Sequence, residues 1–218
     1  MTTLTTAPLA PLLEHLFEEA DKATSPGLAA LSREERDRLF HSKTEYRNFY
    51  GLIKDLWLPV SRRTGELLYM LARASGAREI VEFGTSFGIS TLYLAAALRD
   101  NGGGRLITTE FEPDKISRAR QNLAAAGLAD LVEFRQGDAL ETLGADLPGS
   151  IDLVLMDGAK SLYLEILYIL EGRLRQGAIV IADDADACPE YLGHVRAPGR
   201  GYMSTPFSED IELSMRAC

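Results

Sequence analysis

The hydrophobic period of the chain changes after Gly76, and this change constrains the fold more than any other feature. Downstream, short apolar runs alternate with helical stretches. The runs are Glu79–Phe83, Arg105–Thr109, Leu131–Phe134, Ile151–Met156 and Ala178–Ala182. Between them lie Ser90–Leu98, Pro113–Ala126, Ala139–Leu143 and Ser161–Leu174, where Ile116, Ala119 and Leu123, and then Leu162, Ile166 and Leu170, recur at helical spacing. Such alternation predicts an α/β fold with a mostly parallel sheet covered by helices on both faces. The tail departs from it. Gly199–Gly201 signals a turn, and Asp210–Met215 reads as a strand with no helix before it, which predicts an antiparallel hairpin at one sheet edge.

Upstream of Gly76 the signals are helical. Pro11–Ala20 is amphipathic. Ser32-Arg-Glu-Glu35 and Ser42-Lys-Thr-Glu45 both fit the capping box, in which the Ser caps a helix and the Glu reaches back. A helix from about Thr64 carries Leu67, Leu68, Leu71 and Ala72 on one face and stops at Gly76. Residues 1–7 are small and polar, so fraying is expected there. At 218 residues a single domain is expected, with 1–60 as an N-terminal helical cap and 61–218 as the core.

The totals exclude several classes. A net charge of −9 argues against a nucleic-acid backbone as partner. No apolar run is long enough to span a bilayer, and the first residues do not read as a secretion signal. Two cysteines, Cys188 and Cys218, make no disulfide framework, so a cytoplasmic protein is expected.

Ligands of an open parallel sheet bind outside the carboxyl ends of its strands. Each run here ends near an acid: Glu82, Glu110, Asp138, Asp157, and the pair Asp183-Asp184. In a parallel sheet these acids share one rim. The first loop, Glu82-Phe-Gly84-Thr-Ser-Phe-Gly88, allows a tight turn and close backbone approach. Its spacing rejects a dinucleotide. G-x-G-x-x-G counted from Gly84 would need glycine where Ser86 and Ile89 stand. A ligand without a pyrophosphate fits better. S-adenosylmethionine (SAM) is one, and Glu110 stands where a ribose diol would be gripped. Alone, the two glycines could equally make an ordinary strand–helix turn. Likewise Asp157 with Lys160 could be a salt bridge at a helix start, and Asp183-Asp184 a polar turn.

The resemblance that joins these residues is specific. Val81-Glu-Phe-Gly84-Thr-Ser-Phe-Gly88-Ile-Ser90-Thr91 resembles the first SAM motif of the metal-dependent O-methyltransferases, the catechol and caffeoyl-CoA O-methyltransferase type. Thr64–Leu68 resembles the helix before that motif, and Leu106–Pro113 the ribose-binding strand. Met156-Asp157-Gly-Ala-Lys160-Ser-Leu-Tyr163 resembles the metal-and-base motif D-x-x-K-x-x-Y, and Ile181-Ala-Asp183-Asp184 the second metal motif. Tyr191–Arg196 is similar to the catechol branch, and the likeness runs from about Val60 to Arg216.

This resemblance implies a Rossmann-like, doubly wound, mostly parallel seven-stranded sheet with an antiparallel edge strand and extra N-terminal helices. It implies SAM contacts from Val60, Glu82, Gly84, Thr85, Ser86, Ser90, Glu110, Phe111, Asp138, Ala139 and Asp157. It implies a divalent metal, Mg²⁺ in the first instance, on Asp157, Asp183 and Asp184, with Lys160 as general base. The physical reading agrees. Three carboxylates at one cleft repel unless a cation joins them, and without a Cys/His cluster an oxygen-loving ion suits them. A small ortho-dihydroxy aromatic would supply two further oxygens. Beside such an ion, a partly desolvated Lys160 would have a depressed pKa.

Some residues depart from the family. Asp184 stands for the usual Asn. No match to the catechol-orienting Glu falls in Gly201–Glu209. Gly158 and Ala159 replace larger residues, which suggests a more open wall. Tyr46, Phe49, Tyr50 and Trp57 suit either a substrate mouth or a core, and the N-terminal helices suit either a cap or a homodimer contact. His194 is expected in a loop or helix after the fifth strand. His15 and His41 are expected on the surface, and Cys188 has no partner for a thiolate site. Two other functions fit the same fold: a metal-independent N- or O-methyltransferase, and a SAM-binding regulatory protein without turnover.

Overall fold

The apolar runs become strands, and residue alternation within them builds two cores. In a computed structural model describing residues 1–218, the strands are β1 (Glu79–Phe83), β2 (Arg105–Glu110), β3 (Val132–Gln136), β4 (Ile151–Met156), β5 (Leu174–Ala182), β6 (Tyr202–Pro206) and β7 (Glu212–Arg216). They form one seven-stranded sheet in the order β3-β2-β1-β4-β5-β7-β6. The first five are mutually parallel, and β7 runs antiparallel to both β5 and β6. The predicted hairpin at one edge is therefore β6–β7. The strand order reverses between β1 and β4, where a doubly wound sheet opens a crevice.

The helices are α1 (Leu9–Lys22), α2 (Pro26–Ala30), α3 (Arg33–Phe40), α4 (Tyr46–Leu52), α5 (Arg62–Ala74), α6 (Ile89–Asp100), α7 (Pro113–Ala125), α8 (Ala139–Thr142), α9 (Tyr163–Leu170) and α10 (Pro189–Val195). Ile80, Leu106, Leu153, Leu155 and Ile181 face one layer, containing α1, α5, α6 and α7. Val81, Ile107, Val154, Met156 and Val180 face the other, containing α8, α9 and α10. Helix α6 is buried from Ile89 through Leu98, so it needs cover on its outer side too. α1 contributes Leu9, Leu13, Leu16 and Phe17 to that layer. No helix is long and apolar enough to cross a membrane.

The first 60 residues divide in two. α1 belongs to the core layer, while α3 and α4 gather a small separate cluster around Leu39, Phe49 and Ile53. The expected fraying of residues 1–7 is not found. Thr3 donates to Asp100 through its backbone N–H at 3.0 Å and its hydroxyl at 2.5 Å, and the Tyr69 hydroxyl donates to the same carboxylate at 2.6 Å. Ser32 and Glu35 form the predicted capping box. Ser42 does not cap a helix: its hydroxyl accepts from Glu45 N–H at 3.0 Å inside a turn, and α4 starts at Tyr46. Strand β5 starts four residues earlier than the apolar run, because Arg175, Gln176 and Gly177 interrupt the pattern where the register against β4 shifts, with Gly177 at φ +79°.

Candidate functional site

The carboxyl ends of β1, β2 and β4 meet at a crossing of backbone. Asp157 N–H donates to the Phe83 carbonyl at 2.8 Å. Gly84 has φ +104°, and a Cβ there would collide with the Asp157 carbonyl. Only glycine lets the two loops close on each other. Gly158 likewise packs against the Phe83 ring, 2.5 Å from where its Cβ would stand. The expectation of a more open wall at this glycine is thus corrected: the ring of Phe83 fills the space.

One cleft runs along these strand ends. Gly84, Ser86, Glu110, Phe111, Asp138, Ala139 and Asp157 line it, together with Tyr46 and Tyr50 from α4. Glu110 accepts from the backbone N–H groups of Ser86 at 3.0 Å, Phe111 at 2.9 Å and Glu112 at 3.0 Å. Burial nonetheless pushes its carboxyl up, against the pull of Lys115 and those three donors. The Ser86 hydroxyl is buried without a partner. A carboxylate at a strand end and an orphaned hydroxyl suit a ligand rich in hydroxyls and amines, such as SAM. At the far end Asp138 caps α8 through Leu140 N–H at 3.0 Å and is bound by the Tyr46 hydroxyl and the Arg47 guanidinium. Burial would raise the Asp138 carboxyl, but Tyr46 and Arg47 hold it below its ordinary value.

Four of the residues predicted at the cofactor are not in the lining of this cleft. Glu82 is fully buried and accepts from Ser90 at 2.6 Å, Thr91 at 2.6 Å and Thr108 at 2.5 Å. Position 82 points, with Ile80, toward the α6 layer. It ties β1, β2 and α6 together and does not reach the main cleft. Val60 is packed in the core. Thr85 and Ser90 line a narrow side cleft with Trp57, which stacks on Phe87 at 4.2 Å. Their hydroxyls are engaged within the fold, Thr85 with Thr108 at 2.6 Å and Ser90 with Glu82.

A second cavity of about 480 Å³ adjoins the first. Its apolar wall comes from α2–α4 and the segment after them, through Leu28, Phe40, Phe49, Tyr50, Ile53 and Leu58. Its polar wall is Asp157, Lys160, Asp183, Asp184 and Asp210. Phe49 and Tyr50 thus line a cavity, while Trp57 joins an aromatic stack. Tyr50, Leu58, Asp157 and Gly158 belong to both cavities.

Lys160 is buried and lies 2.9 Å from Asp157 Oδ1, 3.1 Å from Asp184 Oδ2 and 3.0 Å from the Tyr163 hydroxyl. Burial disfavours its charge, but Tyr163, Asp157, Asp184 and Tyr50 outweigh burial and hold the ammonium well above its ordinary pKa. Two carboxylates and two phenols face this one cation, whereas the depression expected of Lys160 belongs to a site that also holds a divalent ion. Burial pushes Asp183 up to about 7, helped by Asp157, Asp184 and Asp210. Asp184 is half-exposed in a left-handed turn, φ +50°. The three predicted ligands line one cavity, yet no three Asp, Glu, His or Cys side chains converge into a ligand shell. Their chemistry suits a hard dication. Lys160 engages one oxygen of Asp157 and one of Asp184.

Other residues have structural roles. His194 lies in α10, 3.3 Å from Glu171 and packed edge-on to Tyr168 and Tyr202. His15 and His41 are exposed. Cys188 is buried, with Sγ 3.3 Å from the Lys160 carbonyl, and burial pushes its thiol up to about 12. Lys115 and Asp210 were missed by sequence reasoning. Lys115 carried a signal, a cation in the first turn of a helix, where the dipole disfavours it.

Known proteins match this arrangement. Residues 81–185 match the family described as a methyltransferase domain. A Mycobacterium tuberculosis protein named catechol O-methyltransferase is 37% identical over 127 residues, covering 58% of this chain. The chain spans only 57% of that relative's length. The catechol O-methyltransferase of Sus scrofa is 31% identical over 169 residues, which cover 74% of this chain and 89% of the relative. The crystal structure of the O-methyltransferase TomG from Streptomyces achromogenes, in complex with SAM, aligns with a TM-score of 0.65 at 26% identity, covering 92% of this chain and 99% of that one. With the Sus scrofa relative matched over nearly its whole length, the chain belongs to the catechol O-methyltransferase family of SAM-dependent methyltransferases.

Proposed function

We propose that this protein transfers the methyl group of SAM to a hydroxyl of a small ortho-dihydroxy aromatic. The observation that carries this reading is the junction of two cavities at Tyr50, Asp157 and Gly158. One cavity presents Glu110 and the free Ser86 hydroxyl to a nucleoside. The other presents an apolar wall to an aromatic ring and Lys160 to its hydroxyls. A donor in the first and an acceptor in the second are neighbours. Holding two reactants in near-attack geometry contributes ~7–11 kcal/mol to a bimolecular transfer.

In the reaction, the acceptor hydroxyl gives its proton to Lys160, its oxygen bonds to the methyl carbon, and the carbon–sulfur bond breaks to leave the neutral thioether. Lys160 must be unprotonated to accept. Asp157, Asp183 and Asp184 are the residues that would hold a divalent cation, Mg²⁺ in the first instance. That ion would supply Lewis acidity to the acceptor oxygens. Asp157 and Asp184 would then no longer stabilise the Lys160 ammonium. The apolar side chains of α3 and α4 exclude water from the acceptor.

A second reading is a metal-independent methyltransferase, favoured by the ammonium of Lys160 already bridging Asp157 and Asp184. The function itself is tested by methyl transfer from labelled SAM to a panel of catechols and lone phenols. Transfer to catechols above phenols supports the proposal. Binding of SAM without transfer to any acceptor leaves a regulatory protein in its place.

A further inference from the structure

Lys115 is 4% exposed, yet it lines the cofactor cleft. Its ammonium has no hydrogen-bond or ion-pair partner. The Phe87 ring lies 5.4 Å from its Nζ, and Trp57 stacks on that ring. It sits in the first turn of α7, where the helix dipole repels a cation. Burial, dipole and lack of a partner all destabilise this charge. The acids that face it are Glu110, Glu112, Asp55 and Asp157. A residue so unfavourable to folding, placed on a ligand cleft, points to a role in binding.

We infer that Lys115 is a positioning residue for the cofactor, acting through Glu110. Resting on the reading of the cleft as a SAM site, the inference assigns it a defined task. Glu110 must be an ionised acceptor to take hydrogen bonds from two ribose hydroxyls, and it is only partly exposed at the cleft. Burial pushes its carboxyl up; the field of Lys115 opposes that most strongly, and three backbone N–H groups add to the opposition. Hydrogen bonds to an ionised acceptor are roughly twice as strong as neutral ones. Lys115 stands beyond direct contact with Glu110, so it raises the strength of that grip without occupying a lone pair the ribose needs. Neutral at this position, the side chain would relieve the fold and weaken the grip.

The test is calorimetric titration of SAM into the wild type, Lys115→Met, Glu110→Gln and the double variant, with thermal unfolding of each. Lys115→Gln makes the same comparison with a polar neutral side chain. The expected result is about tenfold weaker binding for Lys115→Met, with a melting temperature equal to or above that of the wild type. The double variant should bind no more weakly than Glu110→Gln alone. Two results overturn the inference. One is a loss below about twofold in both neutral variants. The other is a double variant whose losses multiply to within about twofold, the mark of independent residues. A wild type that binds no SAM refutes the cofactor reading itself and is distinguishable from either.

Discussion

The Lys160 ammonium lies 2.9 Å from Oδ1 of Asp157, both on the rim between β4 and the helix that follows. The pair is almost closed to water, with side-chain exposures of 6% and 12%. It is the group on which the proposed chemistry turns, and it also holds the loop in place.

Replacing Lys160 by Met removes both roles. General-base catalysis contributes about 10²–10⁴-fold, so methyl transfer should fall by that factor. Asp157 would lose its cation, and stability should fall by about 3–5 kcal/mol, as for other broken buried pairs. Steady-state kinetics and urea unfolding measure the two losses separately. Unchanged turnover by a folded variant refutes the base assignment.

Asp184→Asn converts this position to the residue usual in the family. The variant loses one of the two carboxylates facing Lys160, which lie 3.1 Å and 2.9 Å away. Activity should persist, and half-maximal activation should need more divalent ion, because one ligand charge is gone. A titration of activity against Mg²⁺ gives both numbers. An unchanged midpoint would remove Asp184 from the ligand set.

Gly84→Ala should be poorly tolerated. The new Cβ meets the Asp157 carbonyl, and the backbone φ of +104° is strained for alanine. Strain of this kind costs about 1–3 kcal/mol, and relief by shifting the β4 loop would displace Asp157. Thermal unfolding and turnover should both fall. A melting temperature equal to the wild type would show that the two loops do not close as described.

Glu82 ties β1 to α6 and gives the fold a pH dependence. Burial raises its carboxyl to about 7 from the ordinary 4.5, in spite of three hydroxyl donors. The folded state therefore holds a proton that the unfolded chain releases. Glu82's contribution is fully present below 4.5 and is lost as pH rises through about 7, a change of about 3 kcal/mol. Glu82→Gln should flatten the fall in stability between pH 4.5 and 7. Denaturant unfolding across that window reads the difference, and parallel curves would refute it.

Glu82 also marks where reading the sequence succeeds and fails. Acids at strand ends revealed the rim, and Glu110 and Asp157 do face the cleft. Glu82 shares the motif but lies one residue off the necessary phase. Strand alternation turns it toward α6, where Ser90, Thr91 and Thr108 wait. Only the packed structure shows which of two consecutive side chains faces a ligand. Long-range contacts were equally hidden. Nothing local in Thr3 announces its bond to Asp100, and nothing in Tyr46 or Arg47 announces Asp138. The central strands β1, β2 and β4 were legible because their apolar runs are buried on both faces. β5 was legible only in its second half, since Arg175 and Gln176 extend it with polar residues, and the partly exposed edge strand β6 carried no apolar run.

The most direct test of the central claim is methyl transfer from SAM to a catechol, measured before chelation, after full removal of metal with EDTA, and after Mg²⁺ is restored. The account predicts transfer that stops on chelation and returns with the ion. Transfer that continues at the same rate without metal would contradict it, and would assign the Asp157–Lys160 pair to a metal-independent methyltransferase.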